Sequence, residues 1–329
     1  MNADETNSTE PTGTDRHETN PTEPTGGTAP AVSVVVATRD RPVLLRRTLA
    51  AIAAQDHPGV IETVVVFDRS EIDHDIESDD PSRPVLTITN TRKPGLAGAR
   101  NSGVETSHHG LVAFCDDDDT WDPAKLRRQV HHLDLHPDRG MVVGGIRVHF
   151  EGRTTLRRPE MDVIRFDDLL RSRILEAHPS SFLFRRELIE TMGPVDEAIP
   201  GGYAEDYEYL LRAARHTDIG VVPDALVDIL WHTASFFVEG WRTRIEALTY
   251  LLDRYPEFAD EPRGLARIEG QIAFAHAASG NRGEARAWAR RTLRHNRTEA
   301  RALLSLLVSF RLVSADRVVR NVQRLGRGI

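Results

Sequence analysis

The sequence predicts an α/β fold, in which helices cover both faces of a Rossmann-like, largely parallel sheet, followed by an all-helical region. From Val32 onward, short apolar runs alternate with segments of helical period, and this alternation is typical of parallel strands joined by helices. Beyond about residue 237 the apolar spacing is helical only. We therefore divide the 329 residues into a disordered acidic tail (1–30), an α/β domain (31–236) and a helical domain (237–329).

The composition excludes several classes of protein. Hydrophobic residues at 40% and charged residues at 28% are typical of soluble globular chains and not of fibrous or multi-span membrane proteins. A net charge of -8 argues against non-specific binding of nucleic acid. Cys115 is the single cysteine, which excludes an internal disulfide and a cysteine-rich zinc site. Because the amino terminus also lacks the pattern of a secretory signal, we expect a cytoplasmic protein.

The predicted elements follow one another in a simple order. Residues 1–30 repeat a polar motif twice and hold too few apolar side chains to form a core. The first strand is predicted over 32–36, and a helix begins at Pro42 and ends near His57. Further strands are predicted over 61–67, 85–89, 111–115 and 141–150, and further helices near 97–106 and 123–136. The carboxy-terminal helices are predicted over 265–278, 284–294, 302–310 and 313–325.

Polar residues follow three of these strands at the points where the strands end. They are Thr38, Arg39 and Asp40 after the first strand, Asp68 after the second, and four aspartates at 116–119 after the strand that begins at Leu111. In open α/β sheets, ligands bind beyond the carboxyl ends of the strands. These residues are therefore the first candidates for a functional site.

The aspartate run at 116–119 is the strongest local signal. Four adjacent carboxylates repel one another, so their position directly after an apolar strand indicates a shared cation. Hard oxygen ligands favour Mg²⁺ or Mn²⁺. The alternative is a solvated acidic loop before the helix near Pro123, for which Asp122 alone would suffice as a cap. We favour the metal site.

One candidate function is a phosphatase of the haloacid dehalogenase type. Such enzymes carry an Asp-x-Asp-x-Thr signature after an apolar strand, and the residues from Asp116 to Thr120 match it. The signature usually follows the first strand of the domain, however, and here it follows about the fourth. The class also needs a lysine well downstream, and Lys125 lies too close. We keep the phosphatase as the alternative.

Four motifs in order resemble those of family 2 glycosyltransferases of the GT-A fold. The motifs are VSVVVATRDRP at 32–42, GLAGARNSG at 95–103, FCDDDDTWDP at 114–123 and AEDYEYLLR at 204–212. The resemblance covers about residues 31–236. It implies an inverting transferase that moves a sugar from a nucleoside diphosphate sugar, with UDP or dTDP expected, to a hydroxyl of a glycan, lipid-linked or small-molecule acceptor. A catalytically inactive GT-A fold that serves as a binding module is a further alternative.

The resemblance also assigns roles to single residues. It implies that Asp118 ligates the metal directly, that Asp116 or Asp117 lies near the ribose, and that Asp68 accepts a hydrogen bond from the nucleobase. Asp206 would be the catalytic base that takes the proton of the acceptor hydroxyl. The remaining implied residues are Thr38, Arg39, Asp40 and Arg100 in nucleotide-sugar binding, and Asp116 and His232 as further metal ligands.

Some positions depart from the family pattern or have a simpler interpretation. Arg69 follows Asp68 where the family has a second acid, and Arg39 replaces an aromatic residue that stacks on the base. Asp206 could be an acid at a helix start, which the helix dipole favours, and Arg100 could be a helix-surface arginine. His131, His132 and His136 are interpreted as a solvated helix face, and residues 178–181 (HPSS) as an acceptor-side loop.

The basic carboxy-terminal helices have two interpretations. Apolar stretches flanked by arginine, such as residues 301–311, could lie on the inner face of an anionic membrane as a peripheral contact. The same apolar faces could instead pack against one another. We expect packing.

Overall fold

The computed structural model describes residues 29–150, 152–230 and 240–324. The predicted tail therefore lies almost entirely outside the described residues, as does His232. The strands are β1 (Val32–Thr38), β2 (Ile61–Phe67), β3 (Val85–Thr89), β4 (Leu111–Asp116), β5 (Thr120–Trp121), β6 (Met141–Phe150), β7 (Arg153–Arg157), β8 (Val163–Ile164), β9 (Leu183–Arg185) and β10 (Ile219–Leu230). The helices are α1 (Pro42–Ala53), α2 (Leu96–Thr106), α3 (Lys125–Leu135), α4 (Phe166–Arg171), α5 (Arg186–Met192), α6 (Glu205–Ala214), α7 (Trp241–Arg254), α8 (Pro262–Ala278), α9 (Arg282–His295), α10 (Ala300–Ser309) and α11 (Ala315–Arg324).

The strands form one mixed sheet in the order β3-β2-β1-β4-β9-β6-β10-β5, with β7 paired to β6 and β8 to β10. The pairs β1/β2, β1/β4, β2/β3 and β6/β10 are parallel. Strand β9 is antiparallel to both of its neighbours, β4 and β6. Six long strands therefore run in one direction and place their carboxyl ends at one edge. The predicted α/β class and largely parallel sheet are confirmed.

Helices cover both faces of the sheet because the central strands alternate between two cores. On β1, Val35 faces one hydrophobic cluster, and Val34 and Val36 face the other. Helices α1 and α3 cover the second cluster, whereas α2, α5 and α6 cover the first. Helix α2 approaches β1 closely at Gly103, where a Cβ atom would lie 2.3 Å from a methyl group of Val35. A side chain at that position would force α2 away from the sheet.

The first carboxy-terminal helices share the core of the sheet. Leu248 and Leu251 of α7 and Ile268 of α8 belong to the same buried cluster as Val35. The Tyr255 hydroxyl donates a hydrogen bond of 2.8 Å to Glu208 of α6. Helices α9, α10 and α11 pack onto α8 through smaller clusters. The helical region is thus confirmed as a set of helices, and α7 and α8 contribute both to the core of the sheet and to the smaller helical clusters. The predicted boundary at 236/237 lies outside the described residues.

Among the described residues, the helices are too short or too polar to cross a lipid bilayer.

Candidate active site

Helix α1 and strand β1 hold the loop that contains the aspartate run. The Thr38 hydroxyl donates to Asp117 Oδ2 at 2.7 Å. Arg41 donates to Asp117 at 3.1 Å and to Asp118 at 2.7 Å. The Thr48 hydroxyl contacts the backbone carbonyls of Asp117 and Asp119, at 3.0 and 2.7 Å. The loop is therefore fixed by α1, and the predicted contact of Thr38 with the site takes the form of a hydrogen bond to Asp117.

Three side chains near this loop could together hold a metal ion. In the described part of the chain, Asp116, Asp119 and His178 bring one potential ligand atom each within 4.8 Å of one another. The Ser180 hydroxyl donates to Asp119 Oδ2 at 2.5 Å, and His178 Nδ1 lies 3.6 Å from the same oxygen. Asp118, the ligand implied by resemblance, points to Arg41 in this structure. Its role as a ligand, like that of His232, stays a prediction.

The electrostatics of this corner favour a bound cation. Burial, followed by the charge of Asp116, holds the pKa of Asp119 well above its usual value. Burial also raises the pKa of Asp117, although Thr38 and Arg41 oppose the shift. Burial lowers the pKa of His178, which favours the neutral imidazole that ligates metals. Two carboxylates and one neutral imidazole are a donor set that fits Mn²⁺ or Mg²⁺.

Asp68 lies beside an open cleft at the end of β2. It accepts hydrogen bonds from Asn90 Nδ2 at 2.8 Å and from the backbone N–H of Gly95 at 3.1 Å. The cleft has a volume of about 450 Å³ and is lined by Phe67, Asp68, Arg69, Ser70, Glu71, Thr89, Asn90 and Pro94. Arg39 and Asp40 are exposed, and Arg39 Nε lies 3.7 Å from Asp40 Oδ2. Asp40 has a φ of 54°, in the left-handed region.

Arg100 links two acidic elements that are distant in the sequence. Its guanidinium donates to Asp116 at 2.7 Å and to Glu205 at 3.1 Å. The residue is only 3% exposed, so the interpretation as a helix-surface arginine is wrong. Gly98 and Gly103 allow α2 to lie close to the backbone of Lys93 and to the side chains of Val35 and Val66. Both terminal nitrogens of Arg100 bind carboxylates in this structure. Contact of Arg100 with a base or phosphate stays a prediction.

Asp206 lies in the first turn of α6 and is paired with an arginine of its own. Arg173 donates to Asp206 Oδ2 at 2.5 Å. Burial alone would raise the pKa of Asp206, but the charge of Arg173 and the N–H of Tyr207 outweigh it, and the pKa lies below its usual value. The neighbouring Glu205 differs, because burial and then the charge of Asp206 raise its pKa to about 7. The preference for an acid at a helix start does not by itself explain the ion pair between Arg173 and Asp206.

The three histidines of α3 do not share one environment. His131 is exposed, as the solvated interpretation predicts. His132 is half-buried beside Gly220, and its ring interacts with Arg139 at 3.0 Å. Burial, followed by the charges of His136 and Arg139, lowers the pKa of His132 to about 4. The solvated interpretation is therefore wrong for His132, because β10 passes directly beneath it.

Several site residues escaped the sequence analysis. Arg41 was included only as part of the motif at 32–42, and Thr48 and Arg173 carry no local signal, since the chain has many arginines and threonines. Asp119 was included only as part of the aspartate run, and His178 and Ser180 only as part of an acceptor-side loop. A short helical turn, Pro179–Ser181, brings these two residues to β4. The contacts depend on tertiary structure.

The comparisons with known proteins show the family and the fold. Residues 33–193 match the model of glycosyl transferase family 2. This segment is a family 2 glycosyltransferase domain. The chain is 23% identical over 238 residues to an uncharacterized glycosyltransferase of Haemophilus influenzae, and the match covers 70% of this chain and 79% of the relative. It is 30% identical over 162 residues to the succinoglycan biosynthesis protein ExoO of Rhizobium meliloti, over 48% of this chain and 44% of the relative.

Solved structures confirm the GT-A fold of the glycosyltransferase. S. aureus TarS 1-349 in complex with UDP-GlcNAc superimposes with a TM-score of 0.57 at 18% identity, over 90% of this chain and 92% of that chain. The mannosyltransferase PcManGT from Pyrobaculum calidifontis, in complex with GDP-Man and Mn²⁺, gives a TM-score of 0.52 at 20% identity. That match covers 88% of this chain and 83% of the mannosyltransferase.

Proposed function

We propose that this glycosyltransferase moves a sugar from a nucleoside diphosphate sugar to an acceptor hydroxyl, with inversion at the anomeric carbon and with the help of Mn²⁺ or Mg²⁺. The observation that carries the proposal is the contact of Arg100 with both Asp116 and Glu205. This arginine places the acidic corner suited to a cation next to Asp206, the candidate base. Sugar transfer needs both functions at one reacting centre.

Asp116, Asp119 and His178 would hold the ion, since they are the described residues whose ligand atoms converge. When bound, a divalent ion stabilises the negative charge of a diphosphate leaving group. Arg41 and Arg100 hold the loop that carries these aspartates. The Mn²⁺ in the mannosyltransferase structure supports this part of the proposal.

The cleft beside Asp68 is the proposed place for the nucleobase. Asp68 and Asn90 offer polar atoms at its wall, next to the carboxyl end of β2. Thr38 and Asp117 lie at the neighbouring end of β1, where a ribose would follow. We propose UDP or dTDP as the nucleotide. The complex of TarS with UDP-GlcNAc supports a uridine nucleotide, and the complex of the mannosyltransferase with GDP-Man is the competing case.

Asp206 would accept the proton of the acceptor hydroxyl as its oxygen attacks the anomeric carbon. The charge of Arg173 keeps this carboxylate ionised, as a base requires. Attack from the face opposite the leaving group inverts the configuration. Because the Asp206–Arg173 pair is intact, the structure supports a catalytic domain more than an inactive binding module.

A phosphatase is less well supported. Lys125 is fully buried, and its Nζ lies 3.8 Å from the centre of the Trp121 ring. Within the described residues, that ammonium group makes no hydrogen bond to the aspartate run. A phosphatase of the haloacid dehalogenase type would need a lysine at its phosphate site.

The experiment is a thermal-shift screen of nucleoside diphosphate sugars with and without Mn²⁺. A ligand that binds only the folded state must raise the melting temperature. We expect a uridine or thymidine diphosphate sugar to do so in an Mn²⁺-dependent way, and NMR of the product of the selected donor to show inverted configuration. Turnover of simple phosphate esters without an acceptor would contradict the proposal in favour of the phosphatase.

A further inference from the structure

Helix α10 presents an apolar stripe to solvent. Leu303, Leu307 and Phe310 are 51%, 38% and 57% exposed, and Leu312, just beyond the helix, is 69% exposed. These four are among the ten large apolar side chains with the greatest exposure in the described residues, and they lie within ten positions. The spacing of i, i+4 and i+7 places the first three on one face of the helix. Single exposed apolar side chains are normal on a protein surface, whereas a group of them on one face is typical of an interaction site.

The opposite face of α10 packs against α8. Ala302 and Ser305 are fully buried, and the Ser305 hydroxyl donates to the carbonyl of Ala273 in α8 at 2.9 Å. The predicted packing of the carboxy-terminal helices is therefore present on this face. The stripe is additional apolar surface that the packing leaves uncovered.

The surroundings of the stripe are basic. Residues 282–320 contain ten arginines and three acidic residues, in a chain whose net charge is -8. The Arg286 guanidinium of α9 lies 5.4 Å from the centre of the Phe310 ring. Arg290, one turn further along α9, and Arg311, directly after Phe310, are exposed. Of the three acids, Glu299 is engaged by Arg301.

We propose that this face binds an anionic phospholipid membrane, with the apolar stripe entering the boundary between headgroups and acyl chains. The α10 surface consists of Leu303, Leu307, Phe310 and Leu312 with Arg286, Arg290 and Arg311. Apolar side chains flanked by arginine are the combination that binds such a boundary, because burial of apolar area and attraction to anionic headgroups add. A second copy of the chain fits less well, since a symmetric contact would bring the arginines of both copies together.

The test is co-sedimentation of the full chain with vesicles. We expect binding to vesicles of phosphatidylcholine mixed with phosphatidylglycerol, weaker binding at high salt, and little binding to phosphatidylcholine alone. The double variant Leu303→Ser/Leu307→Ser should weaken binding by about tenfold or more, since both side chains lose apolar area in the membrane. Arg290→Gln/Arg311→Gln should weaken it by a similar factor and reduce its dependence on salt.

A matched control is Leu135→Ser on α3, which is 62% exposed and outside the α10 surface. It should bind vesicles as the unchanged chain does. Because all the substituted side chains are exposed, each variant should keep the melting temperature of the unchanged chain. The proposal is overturned if the anionic vesicles do not sediment the chain, or if the α10 variants bind like Leu135→Ser. It is also overturned if sedimentation velocity shows a dimer that Leu303→Ser/Leu307→Ser dissociates.

Discussion

The aspartate loop at 116–119 and the Glu205–Asp206 pair are both acidic, but they differ in the cations that face them. In the loop, Arg41 and Arg100 serve several carboxylates, and burial holds the pKa of Asp117 and Asp119 above the usual value. In the pair, Arg173 binds Asp206, whose pKa is lowered. A deficit of positive charge suits a site for a cation, and a dedicated arginine suits a base that stays ionised.

The same difference separates the two neighbours Glu205 and Asp206. Glu205 shares Arg100 with Asp116, and burial raises its pKa to about 7. The two adjacent carboxylates therefore have pKa shifts of opposite direction: burial and the charge of Asp206 dominate at Glu205, whereas Arg173 and the N–H of Tyr207 outweigh burial at Asp206. The comparison teaches that the balance between burial and the neighbouring charges decides the pKa shift of each carboxylate.

The largest expected effect is that of Asp206→Asn. The asparagine keeps the size of the side chain but cannot accept the proton, so turnover should fall by about two to four orders of magnitude. Donor binding should change little, whereas the melting temperature should fall because Arg173 loses its paired charge. Steady-state kinetics with the identified donor and acceptor measure turnover, and calorimetry measures donor binding. Asp253→Asn, an exposed position on α7, is the matched control. Near-normal turnover of Asp206→Asn would remove Asp206 from the mechanism.

A comparison of Asp119→Asn with Asp118→Asn should locate the metal. Because Asp119 converges with Asp116 and His178, its substitution should weaken Mn²⁺ affinity by at least about tenfold, as one ligand charge is lost. Asp118, which faces Arg41, should matter less. Calorimetric titration of Mn²⁺ with nucleoside diphosphate present measures both. If Asp118→Asn has the larger effect, the ligand set implied by the family resemblance is correct and the convergence in the structure is not the binding geometry.

The smallest expected effect concerns Lys125, which is buried below the aspartate loop. Burial lowers its pKa from 10.5 to about 7. A base with a lowered pKa loses folded-state stability as the pH falls from its unfolded value towards the folded one. Lys125→Met, which cannot ionise, should therefore raise the melting temperature at neutral pH, and the gain should shrink as the pH rises from about 7 towards 10.5. Denaturation scans at neutral pH and near the upper end of this range measure the change. A loss of stability at neutral pH would show that the contact with Trp121 stabilises a charged lysine.

The fold was largely predictable because its signals are local. The valines of β1 and β2 predict buried strands, and Pro42 and the apolar spacing after it predict α1, whose observed end at Ala53 precedes the predicted end near His57. Strands β5, β8 and β9 were missed because two or three residues are too short to show a period. Their pairing comes from neighbours distant in the chain.

The sequence by itself determined which polar residues reach the functional edge of the sheet. Parallel strands place the residues that follow them at one edge, so Thr38, Asp68 and the aspartate run were predictable as neighbours. Only the tertiary structure decided which arginine binds which carboxylate. Of the 42 lysine and arginine residues, all but Lys93 and Lys125 are arginines. Nothing local distinguishes Arg100 or Arg173 from the other arginines. The strength of an electrostatic interaction depends on distance and burial and not on position in the chain. The roles of these two arginines therefore depend on where the packing of the helices places their guanidinium groups.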